Sequence, residues 1–189
     1  MKIIGFIASP RRDGNTAWVV NKILEGASEQ GAETQSWCAG GLNINPCAGC
    51  LACHSGAGKC VINDDMQEIY AALETADALI LGSPVYMGQM SGQAKVFTDR
   101  LFAQINPRFS PHYKPRETKR KLVLPFTQGN PNPEMFKAYF DYTKHVFELL
   151  EFNVKSMPII TGMRTESAQE QEGLLAAMKS IGAALVLPE

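Results

Sequence analysis

The chain has 189 residues, 18 Lys+Arg against 19 Asp+Glu, a net charge of -1, and 45% hydrophobic and 20% charged residues. That balance is of an ordinary globular protein, which excludes disordered and collagen-like chains, and it leaves no global field to draw the chain to nucleic acid or an anionic membrane. No run approaches the roughly 18 apolar residues of a membrane helix, so a cytoplasmic location is expected, where five cysteines point to metal or redox chemistry before disulfides.

Lys2 to Ala8 reads as a first strand, apolar on both faces as a covered parallel sheet requires. A first helix follows, with Asn15 as the expected N-cap, a stripe of Val19, Val20, Ile23, Leu24 and Ala27, and Gly31 as its end. Glu33 to Cys38 alternates polar and apolar residues and is expected at a sheet edge. After a Gly/Asn/Pro-rich loop, Asn63, Asp64 and Asp65 start a second helix, with Asp65 and Glu68 at capping-box spacing and Met66, Ile69, Tyr70 and Leu73 inward. Asp77 to Gly82 is a central strand, which Ser83-Pro84 is expected to stop.

Gln93 to Phe102 reads as a third helix, 106–117 as a surface excursion, and Lys121 to Phe126 as a fourth strand. Asn132 as N-cap with Pro133 at the first helical position opens a helix with the core stripe Phe136, Tyr139, Phe140, Phe147 and Leu150. Val154 to Thr161 is the fifth strand. Ser167 and Glu170 have capping-box spacing for a last helix carrying Leu174, Leu175, Met178 and Ile181 inward. Strict alternation of strands and helices predicts one α/β domain with a doubly wound five-stranded parallel sheet of order 2-1-3-4-5, whose ligand site lies beyond the carboxyl ends of strands 1 and 3.

Three loops meet at that edge. Ser9-Pro10-Arg11-Arg12-Asp13-Gly14-Asn15-Thr16 offers hydroxyls, an amide, an arginine fork and the N–H groups of a helix start, which suits a phosphate unless Asn15 and Thr16 merely cap the helix. Neither G-x-G-x-x-G nor G-x-x-x-x-G-K-[ST] occurs, so a mononucleotide fits better than a dinucleotide or a P-loop ligand, and no G-x-S-x-G elbow supports a hydrolase. Pro84, Val85, Tyr86, Met87 and Gly88 form an apolar shelf for a flat heterocycle, or else pack under the third helix. Thr127, Gln128 and Gly129 can offer N–H groups and an amide to a ring carbonyl.

Cys47-x2-Cys50-x2-Cys53-x6-Cys60 brings thiolates together from a tight loop. An iron–sulfur cluster, four metal-free thiols and a zinc site are the three readings, with zinc disfavoured because structural zinc usually takes two well-separated pairs. His54 is read as a loop side chain and Cys38 as a small buried hydrophobe.

Ser9-Pro10-Arg11, Gly14-Asn15-Thr16, Ser83-Pro84-Val85-Tyr86, Ser91-Gly92, Lys95 and Asp99-Arg100 together resemble the NAD(P)H-dependent FMN reductase family, and the four cysteines resemble its iron–sulfur flavoprotein branch. The resemblance implies a flavodoxin-like fold, FMN phosphate on Ser9, Arg11, Asn15 and Thr16, and the isoalloxazine along Pro84 to Gly88 near Gln128 and Gly129. It also implies a [4Fe–4S] cluster on Cys47, Cys50, Cys53 and Cys60, and homodimers or dimers of dimers. The expected activity is hydride transfer from NAD(P)H to the flavin, then to a small-molecule or redox-protein acceptor, with no obligatory side-chain acid or base. The alternative is an electron carrier or redox sensor reduced by a ferredoxin-type partner. A cationic stretch, Arg108 to Lys121, is a solvated loop in the simplest reading and a dock for a 2′-phosphate or a partner in the sharper one.

Overall fold

The structure is a computed structural model that describes residues 1–55, 59–104 and 118–187. Eight strands and six α-helices occur among them: β1 Lys2–Ile7, α1 Asn15–Ser28, β2 Glu33–Cys38, α2 Ala52–Ser55, α3 Met66–Thr75, β3 Ala78–Tyr86, β4 Gln89–Met90, α4 Gly92–Arg100, β5 Arg120–Val123, β6 Phe126–Thr127, α5 Lys137–Leu149, β7 Phe152–Ser156, β8 Ile159–Ile160 and α6 Leu174–Val186. The parallel path runs β2-β1-β3-β5-β7, the doubly wound order expected, because β5 and β7 are the fourth and fifth long strands. Each of those two breaks and resumes: β6 pairs with the end of β3, and β8 with β6.

Side chains alternate across the sheet and divide the core in two. Ile3 and Ile7 of β1, with Ala78 and Ile80 of β3, pack against α1 and α6, whereas Ile4 and Phe6, with Leu79 and Leu81, pack against α3, α4 and α5. Phe6 stacks on Phe97 of α4 at 4.0 Å between ring centroids. On the other face α1 and α6 touch backbone to backbone: a Cβ on Gly26 would lie 2.1 Å from the Lys179 carbonyl oxygen, and one on Gly182 only 1.9 Å from that of Ile23.

Several local expectations are corrected. Ser83-Pro84 does not stop the third strand, which runs on to Tyr86. Its pairing with β1 ends at Gly82, so Pro84 sits where one side of the strand is open and a missing N–H is tolerated. Asn15 is not the cap of α1; Gly14 takes that position, and Asn15 Oδ1 accepts a hydrogen bond from Ala168 N at 2.9 Å. The Asp65–Glu68 box does not form. Asp65 accepts from Asn43 N at 2.6 Å, Glu68 accepts from the Trp37 indole at 3.1 Å, and Asp64 Oδ1 accepts from Met66 N at 3.1 Å. Ser167 and Glu170 do bond to each other, but they close a turn, and α6 starts later, behind Gly173. Leu175 is exposed rather than inward. Asn132 caps as expected, accepting from Glu134 N at 3.0 Å, although the first turn it opens is a 3₁₀ helix.

The surface excursion and most of the cationic stretch lie outside the described residues. The part that is described is structural. Arg120 is buried and donates to the carbonyls of Leu73 and Ala76 at the end of α3, and Lys121 Nζ donates to Leu185 O at 2.8 Å. Both cations donate to carbonyls at helix ends, where the backbone offers few partners of its own.

Candidate functional site

Ala8 hydrogen bonds to Gly82 O, and the chain then leaves the sheet through Ser9, which is buried and accepts from Arg11 N at 3.1 Å. The first intrahelical bond of α1 runs from Trp18 N to Gly14 O, so the N–H groups of Asn15, Thr16 and Ala17 have no acceptor within the helix. Those three donors, at the positive end of the α1 dipole, are what an anion needs. Arg11 folds back over Gly14, where an added Cβ would lie 3.2 Å from the Arg11 Cβ. Arg12 turns the other way, its guanidinium against Gly41. Cys38 is only half-buried, with its thiol 3.6 Å from the Ser9 carbonyl.

The expected loops do converge. Thr16 and Thr127 share a buried hydroxyl–hydroxyl hydrogen bond of 2.7 Å, which ties the first loop directly to the end of β6. Pro84 and Thr127 are neighbours across the sheet. Ser91, fully buried, joins the remaining pieces: its hydroxyl donates to Ala8 O at 2.6 Å and accepts from Ala94 N at the start of α4, while its N–H donates to Ser83 Oγ at 2.9 Å. Gln128 is 2% exposed; its Nε2 donates to Asn130 O and Asn132 O, and its Oε1 is buried without a partner among the described residues. An unpartnered buried acceptor beside a set of open donors is the pattern expected of a ligand site.

The shelf after β3 is a tight hairpin rather than a loop. Val85 pairs with Met90 and Tyr86 with Gln89, and the two turn residues, Met87 and Gly88, have φ of 51° and 79°. Two positive φ values define the turn that matches strand twist, and a methionine is a poor occupant of the first. Met87 is 100% exposed and Tyr86 is 47% exposed, so neither side chain is held under α4. Met87→Asn is expected to raise stability by about 1 kcal/mol, because asparagine tolerates this backbone conformation; urea unfolding measures it.

Cys47, Cys50, Cys53 and Cys60 line one small pocket, closed behind by Tyr70, Arg100 and Phe102. Burial pushes the Cys53 thiol up, and the neighbouring charges of Cys60, Cys47 and Cys50 add to the shift. Among the described residues no three His, Cys, Asp or Glu side chains are placed to share one metal ion. His54 sits at the pocket's rim with Nε2 2.8 Å from Phe102 O.

A buried ionic network under this pocket escaped the reading of the sequence. The Arg100 side chain is 1% and the Asp64 side chain 0% exposed, and the guanidinium donates to both carboxylate oxygens at 2.6 and 3.1 Å. It also donates to Asn45 O at 2.8 Å, and Tyr70 OH donates to Arg100 O at 2.7 Å. Gln67 holds the other end of the loop through Cys60 O and Ile62 O. Burial works to raise the Asp64 carboxyl, but the Arg100 hydrogen bonds and the Asn45 N–H outweigh it and hold the group below the usual carboxylate range. Burial likewise works against the Arg100 charge, and Asp64 and Tyr70 more than restore it. The signal in the sequence was the Asp99-Arg100 pair at the end of a helix, which carries no hint of a partner 36 residues upstream.

Comparison with known proteins follows the same two features. An iron–sulfur flavoprotein of Methanocaldococcus jannaschii is 45% identical over 100 residues, covering 53% of this chain and 51% of that protein. An iron–sulfur flavoprotein of Methanosarcina thermophila is 41% identical over 100 residues, 53% of this chain and 52% of that protein. The alignments thus span about half the length of these curated relatives. Among solved structures, an NAD(P)H:quinone oxidoreductase from Methanothermobacter marburgensis superposes with a TM-score of 0.73 at 19% identity, over 100% of this chain and 98% of the other, a likeness of fold. With the profile of the NADPH-dependent FMN reductases matching residues 1–156, which include both the rim loops and the cysteine segment, the chain belongs to that family.

Proposed function

We propose that this chain is an NAD(P)H-dependent FMN oxidoreductase that passes electrons to a small-molecule or redox-protein acceptor, with a [4Fe–4S] cluster on Cys47, Cys50, Cys53 and Cys60. The observation that carries it is the Thr16–Thr127 bond, which fixes the open N–H groups of α1 beside the Gln128 amide. The residues present fit the flavin nucleotide: Ser9, Arg11, Gly14, Asn15 and Thr16 would hold its phosphate, and Pro84 to Gly88 with Thr127, Gln128 and Gly129 would flank its ring. Bound FMN supplies hydride acceptance and one-electron release. The chain's own part is to bind and orient; Gln128 Oε1, lacking a donor, is suited to an N–H of the ring. The cysteines fit a cluster as well, since four thiols from one tight loop line a single pocket, a donor set that suits iron–sulfur ligation.

Among the described residues no helix is long and apolar enough to cross a membrane. A cytoplasmic homodimer, with no nucleic-acid or membrane partner, is the assembly this reading takes.

Anaerobic purification followed by an absorption spectrum, iron and sulfide analysis and FMN titration tests both cofactors together. A yellow protein bleached by NADPH or NADH supports the reading, and a chain that leaves FMN fluorescence unquenched overturns it. Reduction only by a ferredoxin or dithionite would make it a carrier instead. Thr16→Val is expected to weaken FMN binding about ten- to hundredfold, the loss of one hydrogen bond to a charged group; fluorescence titration reads it.

A further inference from the structure

Residues 161–173, between β8 and α6, form a fourth loop at the same rim. Gly162 N donates to Asn130 O at 3.4 Å and Met163 N to Gln128 O at 3.1 Å, so the loop's start lies along the loop that follows β6. Further on, Ala168 N donates to Asn15 Oδ1 at 2.9 Å, which fastens it to the first residue of α1. The segment therefore spans from the Gln128 amide to the helix start that carries the open N–H groups.

Arg164 lies between those two attachments. Its side chain crosses Gly129: a Cβ there would be 2.8 Å from both Cγ and Nε of the arginine, so only glycine leaves the path clear. The side chain is exposed and makes no hydrogen bond or ion pair with any described residue. Some surface cations differ: Lys95 and Lys137 each meet a carboxylate, at 2.6 and 2.7 Å. Next to Gly129 is the buried Gln128 Oε1, also without a partner. Two polar groups of opposite character are thus unpaired around one glycine. Of the other rim arginines, Arg12 is turned away over Gly41, which leaves Arg11 and Arg164 on this side.

We propose that Arg164 is a binding residue for the phosphate of a nucleotide held at this rim. This rests on the reading of the rim as a flavin nucleotide site. A phosphate monoester carries nearly two negative charges at neutral pH, more than one arginine and a helix N-terminus neutralise, and a planar guanidinium matches two of its oxygens. Arg164 lies beyond residue 156, where the family profile ends. The phosphate is that of FMN itself or of the nicotinamide nucleotide that reduces it.

Wild type, Arg164→Gln and Arg164→Lys, as full chains, separate these cases. If the contact is to FMN, Arg164→Gln raises the Kd for FMN about tenfold and leaves that for riboflavin unchanged, with Arg164→Lys in between. If the contact is to the reductant, FMN affinity holds and the KM for NADPH rises relative to that for NADH. Equal constants in all three proteins for FMN, NADPH and NADH overturn the assignment while leaving the flavin site intact. Wild type that binds neither FMN nor riboflavin overturns the flavin site, and Arg164 with it. Because Arg164 is exposed and unpaired, its variants are expected to melt with wild type, so a loss of binding is not a loss of fold.

Discussion

Replacing Arg100 with methionine is expected to lower stability by about 3–5 kcal/mol, the usual consequence of leaving a buried carboxylate without its counter-charge. For a chain of this size that is a fall of roughly 10 °C or more in melting temperature. Asp64 would also lose its two hydrogen bonds to the guanidinium, and Asn45 O its partner, so the segment from Asn45 to Asp64 that carries the cysteines would come free at its base. On the proposed cluster, iron content should fall with it. The double variant Arg100→Met with Asp64→Leu should regain much of the stability, because removing both charges strands neither. A single variant within about 1 kcal/mol of wild type would show that the network holds nothing.

The same pair gives a pH signature. The Asp64 carboxyl is held below its ordinary value, so its contribution is full above about pH 4 and is lost as pH falls through the folded-state value. In Arg100→Met the carboxyl, buried without its cation, shifts upward instead. The gap in stability between wild type and variant should therefore begin to narrow above the ordinary carboxylate value, as pH falls through the variant's raised one, and go on narrowing until the wild-type carboxyl also protonates, which urea unfolding at a series of pH values would record.

Gly182→Ala is the second large effect. Its methyl would be placed 1.9 Å from the Ile23 carbonyl oxygen and 2.8 Å from Ala27 N, backbone atoms that cannot step aside without moving α1 off the sheet. A cost of at least about 3 kcal/mol is expected, measured by denaturant unfolding. Because α1 presents the open N–H groups, a weaker flavin complex should accompany the loss.

How much of this was legible depended on the range of the interaction. The sheet order could be read from β1 and β3, whose apolar runs match strands covered on both faces, and from the polar alternation of β2, which marked the edge. The rim residues were named from loop chemistry, and the structure brings Ser9, Thr16, Thr127 and Gln128 to one edge. What failed were inferences of local capping. Asn15, Asp65 and Glu68 have the right spacing to cap their own helices, yet each is engaged by a residue distant in sequence: Ala168, Asn43 and Trp37. A short polar side chain does not reveal whether its acceptor serves the next turn or another segment. Pro84 misled for a related reason, since its effect depends on a neighbouring strand having ended.

Helix α4 has a consequence for how the molecule can vary. It begins at Ser91, knotted into Ala8 and Ser83 at the nucleotide rim, and ends at Arg100, locked under the thiols. Nine residues at 1.5 Å each make it about 13 Å long. One inserted residue would rotate everything beyond it by roughly 100°, swinging the guanidinium out of its pocket while the serine end stayed put. The helix is a ruler: its side chains are free to drift, but its length is pinned by the Ser91 junction at one end and the Asp64 carboxylate under the four cysteines at the other.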